Sequence, residues 1–119
     1  MGDPGDPFRN RKPTEFIIQD SRIDDCMLMG IYLQGQGAKQ VCLRLKINHI
    51  IGIGIRVHKG NRSKIKGCEL SRCRTGIEVL SGDPMIMFNS IKSCTENGIV
   101  TIAKNFLRCD GIIKYNRIF

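Results

Sequence analysis

The residues suited to chemistry in this 119-residue chain are six cysteines, two histidines and eleven carboxylates. Cys26, Cys42, Cys68, Cys73, Cys94 and Cys109 form no C-x-x-C pair, and His49 and His58 stand at no ligand spacing from them, so the pattern argues against zinc. Without a secretory context a disulfide framework has no support, and reduced, buried thiols filling Val-sized space are expected. A calcium site or an acid/base pair needs carboxylates that converge on one face. Here Asp24 and Asp25 share one bend, while Asp83 before Pro84 and Asp110 before Gly111 read as turn residues. Neither histidine has a Ser or Cys at the spacing of a nucleophile and its base, and each reads as a solvated surface side chain. "GIGIR" (Gly52–Arg56) lacks the third glycine and the following helix of a phosphate-binding loop. No catalytic residue, metal or cofactor is therefore assigned, and the chain is expected not to be an enzyme.

Charge points elsewhere. The formal net charge is +8. Residues 1–15 contribute nothing to it, 16–60 contribute +3 and 61–119 contribute +5. The excess is densest in "RVHKGNRSKIKGCELSRCR" (Arg56–Arg74), which sets seven Lys and Arg against the single acid Glu69. Arg56, Lys59, Arg62, Lys64, Lys66, Arg72 and Arg74, with Tyr32 on an outward row, are candidate docking residues for an acidic protein surface. They are expected to wrap one side of two adjacent turns. No RNA- or DNA-binding motif is present and aromatics are few, so nucleic acid is disfavoured. No apolar run approaches the ~20 residues of a membrane helix. No signal peptide opens the chain, and Asp6 stands where a myristoylation signal has Ser or Thr. A cytoplasmic location is expected; the oligomeric state is left open.

The elements that must carry these residues are strands. Eighteen Ile and four Val stand against seven Leu, a balance that favours pleated, half-buried surfaces. Residues 1–15, "MGDPGDPFRNRKPTE", hold three of the four prolines and read as a flexible lead-in. Residues 16–119 are periodic. Gly30-Ile31, Gly54-Ile55, Gly76-Ile77 and Gly98-Ile99 recur at spacings of 24, 22 and 22. An earlier column runs Ile23, Ile47, Leu70, Ile91, Ile118; five residues before it runs Ile18, Cys42, Ile65, Ile86, Ile113. Three residues after its first four members come Cys26, Ile50, Cys73 and Cys94, giving the phrase I-x-x-C-x-x-(x)-G-I. A fixed period of this size marks a solenoid. Repeated glycine and β-branched residues disfavour helical repeats, and a leucine-rich pattern is absent. The architecture expected is all-β: a parallel β-helix of four to five turns stacked ~4.8 Å apart. The Gly before each Ile should free the backbone at a bend. Tyr32, Arg56 and Glu78 should form an outward row, with Arg56 stacked on Tyr32 and paired with Glu78. In "GIVTIAK" the pattern departs, with Val100 and Ile102 outward and Thr101 inward.

These units resemble the right-handed parallel β-helix proteins, the pectate-lyase-like group. The likeness is carried by "GIEVLSGDPMIMFNSIKSCTENGI" (Gly76–Ile99), with Gly-Asp-Pro before a strand and Asn89 before its end, and by "GIIKYNRI" with Asn116. Within that group the phrases are similar to the SHC SH2-domain-binding protein family and its testicular spindle-associated relative, and next to the F-box-only β-helix proteins. The first resemblance implies a non-catalytic scaffold of the cytoskeleton or spindle, in cell division or meiosis. The second implies a substrate-recognition segment of a ubiquitin-ligase adaptor. A glycan-binding or carbohydrate-active β-helix is the alternative from another class. The chain stops at "YNRIF", where another turn should begin, as expected of a fragment or short isoform.

Overall fold

The computed structural model describes residues 15–35, 39–58, 61–102 and 112–119. Twelve strands lie among them. β1 (Glu15–Gln19), β2 (Arg22–Cys26) and β3 (Met29–Leu33) make the first coil. β4 (Lys39–Leu43) and the long β5 (Lys46–Val57) make the second, β6 (Lys64–Lys66) and the long β7 (Glu69–Leu80) the third. β8 (Met85–Met87), β9 (Ser90–Lys92) and β10 (Asn97–Ile102) form the fourth, and β11 (Ile112–Lys114) and β12 (Arg117–Ile118) the fifth. Every strand pairs in parallel with its counterpart one coil away. One sheet, A, runs β1-β4-β6-β8-β11; the other, B, runs β12-β9-β7-β5-β2, with β3 and β10 joining the second halves of β5 and β7. The coil is thus three-sided. Residues 1–14, most of the expected lead-in, lie outside the described residues, and Glu15 already belongs to β1.

The columns fall where the repeat put them. Ile18, Cys42, Ile65, Ile86 and Ile113 are in register. So are Ile23, Ile47, Leu70, Ile91 and Ile118, and Ile31, Ile55, Ile77 and Ile99. Members on the middle coils are buried outright, because a coil packs on each side of them. Each such Ile contributes about 1.5–3 kcal/mol of burial. The outermost members, with one neighbour, are half-buried or exposed, apart from Ile31, which is buried. Cys26 and Cys94 belong to this set and are half-buried, whereas Cys42, Cys68 and Cys73 are buried; all five are unbridged. Cys109 lies outside the described residues. Thr101 is the register partner of Val79, but it is exposed while Val100 and Ile102 are half-buried, so the burial expected of "GIVTIAK" is not found.

Glycine serves a purpose other than the one expected. Gly54 and Gly76 do not have positive φ. A Cβ on Gly76 would lie 2.6 Å from the carbonyl oxygen of Gly98 and 2.7 Å from Cγ2 of Ile91; on Gly54 it would meet Gly76 and Leu70 at 2.6 and 2.7 Å. These glycines make room for the next coil. The bends are made instead by non-glycine residues in the left-handed region. Asp20, Arg44, Phe88 and Tyr115 share one corner with Gly67, and Asp25, His49, Arg72 and Ser93 share the next, their φ values between 49° and 59° apart from Gly67 at 67°. Such torsions are uncommon singly. Here stacking imposes the same bend on every coil, so each residue at that step adopts it. The optional residue of the repeated phrase is a register shift: Ile50 pairs with Cys73 and Ile53 with Thr75, so β5 spends one residue more than β7 between those two pairings.

Two interior corners are polar and satisfied. Asn89, 2% exposed, accepts from the Cys68 amide at 2.9 Å and donates to the Ile65 carbonyl and to Asn116 Oδ1, both at 3.0 Å. Asn116 in turn donates to the Ile86 carbonyl. At the third corner Asn61 Nδ2 donates to Gln40 Oε1 at 2.7 Å, and Gln40 donates to the Gln34 carbonyl at 3.2 Å. Amide side chains thereby supply partners that the ladder hydrogen bonds leave missing at a bend. From sheet A to sheet B the step is invariant: five residues from Ile18 to Ile23, Cys42 to Ile47, Ile65 to Leu70, Ile86 to Ile91 and Ile113 to Ile118. From β3 to β4, β5 to β6, β7 to β8 and β10 to β11 the connecting length varies.

Candidate functional site

Strand alternation sends every second residue of sheet A outward. Two outward columns result. One holds Ile17, Val41, Lys64 and Met85; the other holds Gln19, Leu43, Lys66, Met87 and Lys114. Neither contains a carboxylate. Ile17 is 61% exposed, the Lys residues are exposed, and Val41, Leu43, Met85 and Met87 are half-buried. A groove of about 730 Å³ at the upper end is lined by Phe16, Ile17, Lys39, Gln40, Val41, Arg62 and Lys64. Lys64 and Lys66 make no ion pair among the described residues.

An aromatic and ionic rim follows at the adjoining corner. Phe88 and Tyr115 stack with centroids 5.2 Å apart and planes 13° apart. Lys66 Nζ lies 5.6 Å from the Phe88 ring centre, and Lys114 Nζ lies 5.2 Å from that of Tyr115. Above them Arg44 donates through Nε and Nη2 to the two oxygens of Asp20, at 2.6 and 2.9 Å. Those hydrogen bonds hold the Asp20 carboxyl below its ordinary value.

The basic residues singled out in the sequence do not form one patch. Arg62, Lys64 and Lys66 are exposed on the outer side of sheet A. Arg72 sits at the second corner with Nε 3.0 Å from Asn48 Oδ1, and Arg74 beyond it faces Glu96 at 3.6 Å. Arg56 lies on the third side, half-buried, 5.8 Å over Tyr32. Lys59 lies outside the described residues. The expectation of one side of two turns is corrected by arithmetic: 19 residues from Arg56 to Arg74 are nearly one whole turn, so they encircle the coil. Arg56 and Glu78 are register partners but form no ion pair. Sequence reasoning missed Lys39 and Lys114 as members of the sheet A surface; counting by column rather than by run brings them in.

The histidines are placed more firmly than expected. His49 Nδ1 is 2.7 Å from Asp25 Oδ1, one coil above. His58 packs edge-on against Tyr32, with centroids 5.4 Å apart. The signal for the first pair was the 24-residue separation, one turn of the repeat. Neither histidine contacts a hydroxyl or thiol in the described residues, and no group of three or more metal-ligating side chains occurs there. Burial pushes the Cys42 thiol up to about 12, with a further contribution from Cys68, and the Cys73 thiol up to about 11, with one from Cys94. Thiols held protonated in this way are poor nucleophiles. A second, polar groove of about 410 Å³ crosses sheet B between Arg22, Lys46, Asn48, Glu69, Ser71 and Lys92.

Parallel coils with stacked interior ladders and all pairings between successive turns define a parallel β-solenoid. The chain belongs to the right-handed beta helix region family, whose model matches residues 10–119. No curated protein and no solved structure gives a match. Among the described residues no helix is long and apolar enough to cross a membrane.

Proposed function

We propose that this chain is a protein-interaction module without catalytic activity, and that the outer side of sheet A is the surface it offers. One observation carries the reading: two adjacent outward columns, together running across all five coils, combine Ile17, Val41, Leu43, Met85 and Met87 with Lys64, Lys66 and Lys114 and contain no carboxylate. Solvated sheet faces of β-proteins are ordinarily polar. A mixed apolar and cationic face suits a partner that is both apolar and acidic. The carboxylates elsewhere are dispersed, and several are engaged by Arg22, Arg44, His49 and Arg74, which supports the non-catalytic reading. The resemblance to the SHC SH2-domain-binding and testicular spindle-associated proteins makes a scaffold of dividing cells, cytoplasmic or cytoskeletal, the finer form of this reading. The F-box adaptor remains its neighbour.

Glycan binding is a second reading, favoured by the polar groove on sheet B with its hydroxyls and amide. The experiment that separates the two places a photo-crosslinking phenylalanine analogue at Met85 or, separately, at Ser71. Crosslinks to protein from position 85 and none from position 71 are expected. Crosslinking only from position 71, or cleavage of a polysaccharide by the purified chain, overturns the proposal.

A further inference from the structure

The rows of sheet A specify more than a charge. Read across the strands, Val41 and Leu43 form an apolar row, Lys64 and Lys66 a cationic row below it, and Met85 and Met87 a second apolar row. Coils in a parallel sheet are ~4.8 Å apart, so the apolar rows are separated by ~9.6 Å with the lysines midway. An α-helix rises ~1.5 Å per residue, so its residues i and i+7 are ~10.5 Å apart on one face, and i+3 and i+4 fall between them. The two periods agree to about 1 Å. An extended peptide laid the same way repeats on one side every ~6.6 Å and loses step with the coils at once. The two columns are themselves ~6.6 Å apart, which seats a helix of ~10 Å diameter over both. Five coils span ~19 Å, the length of about 13 helical residues.

We infer that the outer side of sheet A takes an acidic amphipathic helix of a partner protein, laid along the stack axis. Aliphatic residues at i and i+7 rest on Val41–Leu43 and Met85–Met87, and carboxylates at i+3 and i+4 lie over Lys64 and Lys66. The charge pattern commits the surface to this occupant: the two lysines lack ionic partners among the described residues, and no acid in either column repels a carboxylate. Lys39 and Arg62, beside the upper groove, extend the attraction toward one end. The inference rests on the protein-interaction reading and adds the partner's form to it.

The test uses the full chain and labelled 16-residue stapled peptides, read by fluorescence anisotropy. One peptide carries Leu at i and i+7 with Glu at i+3 and i+4; a second carries Lys in place of both Glu; a third has a central Pro and no staple. The acidic helix should bind roughly tenfold more tightly than the basic one, two exposed charge pairs supplying that ratio. The Pro peptide should not bind. In Lys64→Glu/Lys66→Glu the order of preference should reverse, and in Lys64→Gln/Lys66→Gln it should vanish, with unchanged thermal unfolding in both. Equal binding of acidic and basic helices, a preference surviving both double variants, or binding only to phosphatidylserine vesicles overturns the inference. If these peptides fail while the crosslinker at Met85 still captures protein, the helix is wrong and the interaction module stands.

Discussion

Replacing Asn89 by Ala removes an amide that is 2% exposed and that meets three groups from other coils. The Cys68 amide and the Ile65 carbonyl lose this partner inside a corner that excludes water. A buried polar group left unpaired costs about 1–3 kcal/mol, so two of them put the loss at roughly 2–6 kcal/mol. That is a large share of the ~5–15 kcal/mol that holds a domain together. With a urea slope of about 1.5 kcal/mol/M, the unfolding midpoint falls by roughly 1.3–4 M. Asn89→Leu restores the volume and leaves the same groups unpaired, so it should lose as much. Asn116→Ala, half-buried on the last coil, should lose about 1 kcal/mol, the worth of an ordinary hydrogen bond. Equilibrium urea unfolding followed by circular dichroism measures all three. An Asn89→Leu variant as stable as the parent would refute the reasoning, because it would reduce the amide ladder to filled space.

Other consequences are as direct. Gly76→Ala drives a methyl toward the Gly98 carbonyl and Ile91, and should cost about 1–3 kcal/mol in the same assay, with the fold kept; a neutral substitution would mean the coils are free to part. In the folded protein the Cys42 and Cys73 thiols ionise only near pH 12 and 11, whereas an unfolded thiol ionises near 9.0. Their contribution is therefore complete below pH 9 and is lost as pH climbs from there toward those values. Between pH 8 and 10 unfolding should ease by roughly 1.4 kcal/mol per thiol, and Cys42→Val/Cys73→Val should remove that part of the drop. At pH 8 a thiol reagent should modify half-buried Cys26 and Cys94 well before Cys42 and Cys73; equal rates would contradict the burial.

The ladders were legible because each coil repeats the environment of the one before, so Ile31, Ile55, Ile77 and Ile99 had to be alike. Outward residues carry no such constraint. Val41, Lys64 and Met85 share a column and nothing in their type announces it; only the register of the inward neighbours locates them. The corner residues were opaque for a different reason. Asp20, Arg44, Phe88 and Tyr115 share a backbone torsion that stacking imposes, and side-chain propensity does not foretell it. The glycines misled because two physical needs, torsion and space, select the same residue. The run Arg56–Arg74 misled because adjacency in sequence is not adjacency in space on a coil whose circumference is about the length of the run.

The five-residue step between sheets A and B, set against the variable connection between the end of sheet B and the next strand of sheet A, divides the coil into a locked part and a free part. A residue gained or lost in the step turns every following side chain from one surface to the other. The same change after Leu33, Val57, Leu80 or Ile102 leaves the inward ladders in register and disturbs only the local bonds of that corner, such as Asn61 to Gln40. Divergence in length between relatives should therefore accumulate at that third corner. The four residues joining Leu80 to Met85 are the tight exception: Ser81, Gly82 and Pro84 are buried, and the Ser81 and Asp83 amides donate to the Ile102 and Asn61 carbonyls, so an engineer should leave that connection intact.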